Sequence, residues 1–351
     1  MKIFNGTASR DLAEKIAKIL KIELSRLELN IFPDEEKRVR VVDKVVGQDC
    51  IVVQSTSTNA DKNYMELFFI VDALKRSGAR SVTAVIPYLG YQRQDHVFRE
   101  GEAVSLEVII KTLKAVGTDK IVTFDLHSIK IPELFHIPVV HLSALRLFAE
   151  KISGVLRSLR QFKNFSNASV PAARYRSPRD TVAFGDSSEK FSHAKAPRTP
   201  VTRFSDTVLV SPDMGGIRRI KILSRMLGNL PYVTIKKNRD LKSGKIKVSK
   251  IHGSVGKVAF VVDDMISTGN TIAAAAQLLR KKGAEKIVVF ATHPVFSGNA
   301  AKILQESEVE KVFVTDTIEV SEEKQFEKLE VLSVAEMIAE ILMYPNRNTS
   351  N

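Results

Sequence analysis

Runs of β-branched and aliphatic residues recur along the chain, as CIVVQ, SVTAVIP, KIVTF, TVLVS, KVAFVV, KIVVFAT and KVFVT. Each reads as a buried strand. Between them lie RDLAEKIAKIL, NYMELFFIVDALKRSG, SLEVIIKTLKAVG and NTIAAAAQLLRKKG, whose apolar positions follow helical spacing and which are expected to end near a capping glycine. The alternation predicts an α/β protein with mainly parallel sheets flanked by helices.

The pattern also repeats once, in order, at an offset of about 190 to 210 positions. Phe4 to Leu20 stands opposite Ser211 to Leu227, and CIVVQSTST opposite AFVVDDMIST. LKRSGARSVTAVIPYLGY faces LRKKGAEKIVVFATHPVFSG, with Gly78 matching Gly283, and KIVTFD faces KVFVTD. Four matches in one order argue for two copies of one α/β domain. The expected division is 1–152, an insertion over 153–205, a second domain over 206–310, and a strand, helix and tail over 311–351.

The length, 351 residues, suits two domains, and 44% hydrophobic with 26% charged residues is a soluble, globular balance. The lone cysteine, Cys50, excludes an intramolecular disulfide and a CxxC metal knuckle. No apolar run is long enough to span a bilayer and the N-terminus does not resemble a secretory signal, so a cytoplasmic protein is expected. The net charge of +13 is uneven: Ser153 to Arg203 carries ten Lys or Arg against three Asp or Glu. That stretch is rich in Ser, Pro, Ala and Arg and lacks a sustained period, so it reads as a disordered basic spacer, dispensable for catalysis, in preference to a nucleic-acid tail.

The halves differ where chemistry is expected, because VVDDMISTGNT (Val261 to Thr271) has become VVQSTSTN in the first copy. In the second copy, a Ser, Thr and Gly turn between a strand and a helix offers backbone N–H groups and hydroxyls to a phosphate. Asp263 and Asp264, at the end of the strand, can meet the group carrying that phosphate, directly or through Mg²⁺. Standing alone, the same residues are also compatible with an ordinary capped strand end.

VVDDMISTGNT resembles the phosphoribosyl pyrophosphate loop of type I phosphoribosyltransferases and of ribose-phosphate pyrophosphokinases. Further segments resemble the pyrophosphokinases: YLGYQRQD (Tyr88 to Asp95) their ATP segment, DLHS (Asp125 to Ser128) their histidine motif, and SPDMGG (Ser211 to Gly216) their metal-site turn. FPDEE (Phe32 to Glu36) is similar to their adenine loop, and Lys237 with Arg239 to their catalytic flexible loop. The resemblance implies two phosphoribosyltransferase-like domains and transfer of pyrophosphate from Mg-ATP to ribose 5-phosphate. It assigns catalysis to Lys237 and Arg239, ATP to Phe32, Asp34, Glu36, Arg93, Gln94 and Asp95, and magnesium to His127 and Asp213. Asp263, Asp264, Ser267, Thr268, Gly269, Asn270 and Thr271 are assigned to ribose 5-phosphate. A homo-oligomer is implied, with Phe32, Asp34 and Glu36 reaching a neighbouring subunit's nucleotide site.

Glu35, Ser267 and Asn270 depart from the family's commoner residues, and IKIPELFHIP lacks its usual Gln and Gly. Two alternatives stand beside this reading: a non-catalytic regulatory homologue, and a phosphoribosyltransferase, which would not need the duplication or the ATP segments.

Overall fold

The computed structural model describes residues 1–128, 130–162, 206–239 and 246–344. The first half contains β1 (Lys2–Asn5), α1 (Arg10–Leu20), β2 (Leu27–Ile31), β3 (Lys37–Val41), β4 (Asp49–Val53), α2 (Ala60–Arg76) and β5 (Ser81–Val85). It continues through α3 (Ser105–Ala115), β6 (Lys120–Phe124), β7 (Val139–Leu142) and α4 (Leu145–Phe162). The second half contains β8 (Thr207–Ser211), α5 (Ile217–Met226), β9 (Tyr232–Arg239), β10 (Ile246–His252), β11 (Val258–Ile266) and α6 (Asn270–Lys281). Then come β12 (Lys286–Pro294), α7 (Ala300–Glu306), β13 (Lys311–Thr315), β14 (Leu329–Leu332) and α8 (Ala335–Met343).

Each expected run is a strand. Five form a parallel sheet in the order β1-β4-β5-β6-β7. Seven form a second sheet, β10-β9-β8-β11-β12-β13-β14, parallel except where β10 meets β9. This second sheet runs on through residue 310, where a boundary was expected. The hairpin β2–β3 is a separate two-stranded ribbon.

Helices cover both faces because the strands are apolar on both sides. Val52, Val82, Ala84 and Ile121 pack under α2 and α3, whereas Ile51, Val53, Val85 and Val122 face the side of α1. Each such valine or isoleucine, fully buried, contributes about 1.5–3 kcal/mol. Gly78, Gly117 and Gly283, after α2, α3 and α6, take the left-handed conformation that closes a helix. At the end of α1 the expected glycine is absent, and Lys21 takes that conformation itself.

The last helix of each half crosses to the other. Phe148, Ile152 and Leu156 of α4 pack with Leu209, Ile220, Phe260 and Phe290 of the second half. Ala335, Ile338 and Ile341 of α8 pack with Leu12, Ile16 and Val53 of the first. Helix α4 therefore runs past the expected end of the first domain at 152, as far as Phe162. The remainder of the basic segment, 163–205, lies outside the described residues.

Candidate functional site

The second half presents an acid pair and a phosphate-type turn at one strand end. Asp263 and Asp264 lie on β11 and are buried, 7% and 6% exposed. After them the chain turns through Ser267 and Thr268 to Gly269, whose φ of +79° opens α6. A Cβ there would meet the Ala300 carbonyl and the Leu304 side chain only at ordinary contact, 3.4 Å, so it is the conformation rather than the space that favours glycine. The first N–H groups of α6 have no intrahelical acceptor and, with the Ser267, Thr268 and Thr271 hydroxyls, offer a set of donors suited to an anion. Ser267 Oγ is 3.3 Å from Ser297 Oγ, and Asn270 Nδ2 donates to Thr268 Oγ1 at 3.3 Å.

Two nitrogen-bearing side chains approach the acids from different elements. Arg219 of α5 places Nη1 3.5 Å from Asp264 Oδ1 and 3.9 Å from Asp263 Oδ1. His127, from the loop after β6 in the other half, places Nδ1 2.7 Å from Asp264 Oδ2. Burial opposes ionisation of Asp264, but the His127 hydrogen bond and Arg219 outweigh it and hold that carboxyl below the usual range. Asp263 goes the other way: burial, then the Asp264 charge, raise its proton affinity well above normal. The hydrogen bond to Asp264 raises His127 in turn.

The backbone around His127 is fixed from both halves. Its N–H donates to Gln92 Oε1 at 2.9 Å. Two residues earlier, buried Asp125 holds a positive φ of 30°. Its carboxylate accepts Ser143 Oγ at 2.7 Å, Ala144 N–H at 2.8 Å and, from the second half, Thr292 Oγ1 at 2.7 Å. His293 Nδ1 lies 2.9 Å from Thr317 Oγ1 and its ring packs edge-on to Tyr88. Burial drives its pKa down to about 4.

The expected nucleotide residues form two groups, exposed except for the Asp95 side chain. Arg93 and Gln94 are exposed, and Asp95 pairs with His96 Nδ1 at 2.6 Å. This segment is anchored by Tyr64, whose hydroxyl donates to the Gly90 carbonyl at 3.0 Å. Phe32, Asp34 and Glu36 sit at the tip of the β2–β3 hairpin, where Asp34 Oδ1 accepts the Glu36 N–H at 3.2 Å. Glu35 adopts a φ of +70°, a conformation natural to glycine that costs other residues about 1–2 kcal/mol. No hydrogen bond or ion pair among the described residues joins this tip to Arg93, Gln94 or Asp95. Asp213 lies in the turn before α5, where its Oδ1 accepts the Gly216 N–H at 3.2 Å. Lys237 and Arg239 end β9 opposite Val248 and Ile246; their side chains lie outside the described residues.

Residues 1–117 match the model of the N-terminal domain of ribose phosphate pyrophosphokinase, and 229–350 that of the phosphoribosyl synthetase-associated domain. Ribose-phosphate pyrophosphokinase 1 of Listeria monocytogenes is 34% identical over 351 residues, covering 100% of this chain and 95% of the relative. The chain belongs to the ribose-phosphate pyrophosphokinase family. Ribose-phosphate pyrophosphokinase 2, chloroplastic, of Oryza sativa is 33% identical over 350 residues, covering 100% of this chain and 76% of the relative. The crystal structure of phosphoribosylpyrophosphate synthetase from Mycobacterium smegmatis superposes with a TM-score of 0.78 at 31% identity, covering 97% of each chain. The expected α/β fold is therefore that of the family, and the chain is read as a transferase of that family.

Within this ribose-phosphate pyrophosphokinase fold, the sequence reading passed over Arg219, Gln92 and the Asp125–Thr292 joint. Arg219 left one trace in the sequence: a cation in the first turn of a helix opposes the helix dipole and calls for an anionic neighbour. Among the described residues, no three His, Cys, Asp or Glu side chains are arranged to hold a metal ion. The chemistry of the donor set nevertheless suits a hard divalent cation. Asp213 offers carboxylate oxygens of the kind such a cation takes, and at the neighbouring strand end the Asp264 and Asp213 charges add to burial in raising the Asp263 pKa, so negative charge gathers there. No helix among the described residues is long and apolar enough to cross a membrane.

Proposed function

We propose that this chain transfers the pyrophosphoryl group of Mg-ATP to the 1-hydroxyl of ribose 5-phosphate, giving 5-phosphoribosyl 1-pyrophosphate and AMP. The observation that carries the reading is the 2.7 Å contact of His127, from the half with the ATP segments, with Asp264, from the half with the phosphate cradle. It joins the two substrate regions at one point.

The 1-hydroxyl oxygen attacks the β-phosphorus and gives up its proton to solvent, forming the new P–O bond as the bond from the β-phosphorus to the bridging oxygen breaks and AMP leaves with that oxygen. Such chemistry depends mainly on positioning and charge neutralisation. Ser267 to Thr271 hold the 5-phosphate, and Asp263 and Asp264 bind the ribose hydroxyls. Arg93, Gln94 and Asp95 take the nucleotide, with Phe32, Asp34 and Glu36 reaching it from a neighbouring subunit of a homo-oligomer. Lys237 and Arg239 close on the transferring group. His127 and Asp213 are assigned to Mg²⁺, which when bound neutralises triphosphate charge. A cytoplasmic location belongs to the same reading.

The test is to incubate the purified protein with Mg-ATP and ribose 5-phosphate. AMP and 5-phosphoribosyl 1-pyrophosphate are expected in equal amounts. Release of ADP, or no turnover, would refute the reading.

A further inference from the structure

The β2–β3 hairpin is hydrogen-bonded to neither large sheet, and an isolated two-stranded ribbon is marginal by itself. Near its base, Leu27, Val39 and Val41 pack on the core of the first half. Toward its tip, Ile31 and Phe32 are 63% and 43% exposed. At that end stands a buried ion pair. Lys37, opposite Ile31 in the ribbon, places Nζ 2.7 Å from Glu66 Oε2 of α2 and donates to the Lys62 carbonyl at 3.1 Å. The Glu66 side chain is 1% exposed and held independently of Lys37: it accepts Thr7 N–H at 2.6 Å, Thr7 Oγ1 at 2.9 Å and Gln54 Nε2 at 3.3 Å.

Neighbouring residues of α2 hold the second nucleotide segment. Asp61 bonds the Tyr91 hydroxyl, and Tyr64 donates to Gly90. Lys62 also pairs with Glu35 of the hairpin tip at 3.0 Å, but both side chains are largely exposed, and such pairs contribute little. Removing one partner from a buried pair is a larger perturbation, because it leaves the other charge stranded.

We propose that the Lys37–Glu66 pair fixes the direction of the hairpin tip, making both residues positioning residues for the use of ATP. The proposal rests on the nucleotide reading of Phe32, Asp34 and Glu36 and adds the element that aims them.

Lys37→Met, Glu66→Gln and Lys37→Arg are compared with Phe32→Ala in steady-state kinetics, with hydrogen exchange followed over residues 27–41. Lys37→Met and Glu66→Gln are expected to raise KM for ATP about tenfold with KM for ribose 5-phosphate unchanged, to loosen exchange at the hairpin, and to be largely rescued in Lys37→Arg. Lys37→Met leaves the remaining Glu66 bonds in place, so it serves if Glu66→Gln folds poorly. If Phe32→Ala raises KM for ATP but folded Lys37→Met does not, the positioning role is overturned and the nucleotide reading stands. If Phe32→Ala has no effect in an active enzyme, the nucleotide reading of the loop is wrong and the positioning role falls with it.

Discussion

The two halves keep the same hydrogen bonds at equivalent places while exchanging the chemistry attached to them. Asp125 follows β6 and accepts Ser143 Oγ and Ala144 N–H just before α4; Asp316 follows β13 and accepts Ser333 Oγ and Val334 N–H just before α8. Two residues beyond each aspartate, the first half carries His127 and the second Ile318. Val53 pairs with Val85 and Val262 with Phe290, partners equally far beyond Gly78 and Gly283, so Gln54 occupies the place of Asp263. Gln54 is satisfied internally, accepting the Ala8 N–H at 3.1 Å, whereas Asp263 is crowded by like charge. One half has kept the acids and the other the histidine. The His127–Asp264 contact thus draws one residue from each half, and the first-half counterpart of Asp263 serves as a structural joint.

The sharpest test of this asymmetry is Asp264→Asn, which removes the carboxylate facing both His127 and Arg219. A fall in kcat/KM of about three orders of magnitude is expected, with ribose 5-phosphate binding by calorimetry more affected than ATP binding. Loss of ATP affinity alone would reverse the assignment of the halves.

A second break in the symmetry is His293, which falls opposite Tyr88 in the repeat and titrates where tyrosine does not. Its folded pKa of about 4 lies below the ordinary 6.5. The stability held by neutral His293 is complete above pH 6.5 and falls as the pH drops toward 4, by about 3 kcal/mol at most. Urea denaturation across that window should show the loss, and His293→Asn should flatten it.

Lys237→Ala and Arg239→Ala are each expected to lower kcat by about two orders of magnitude. Near-normal turnover in both would remove the second half's claim to the transferring group. The smallest effect is expected at the Gln54 joint. Gln54→Ala should cost about 1 kcal/mol of stability by orphaning the Ala8 N–H, with kcat unchanged in the folded protein. A large kcat defect there would mean that the first-half position is still chemical.

The sheets were legible because strands buried on both faces leave uninterrupted apolar runs, and the repeat was legible because its glycines and aspartates recur at matched spacing. The acid pair and turn were legible because a strand end, a turn and the start of a helix are local in the chain. The destination of a helix is not local. An amphipathic stripe on α4 or α8 shows that one face is buried without naming the sheet beneath it, so the exchange was missed. Lys37 and Glu66 look like residues of solvated faces until the hairpin folds onto α2. Arg219 resembles the ordinary basic surface of IRRIKIL until the acids of another strand are brought to it.

The return of α8 to α1 also sets a timetable for biosynthesis. The ribosome makes the first sheet before the second, yet the surface formed by Leu12, Ile16 and Val53 meets its cover only when Ile338 and Ile341 have been added, after the strands of both sheets. Helix α4, conversely, emerges before the sheet it will cover. Neither half can be finished first, and a nascent chain stalled before residue 335 carries a bare apolar face that makes it a natural client for chaperones.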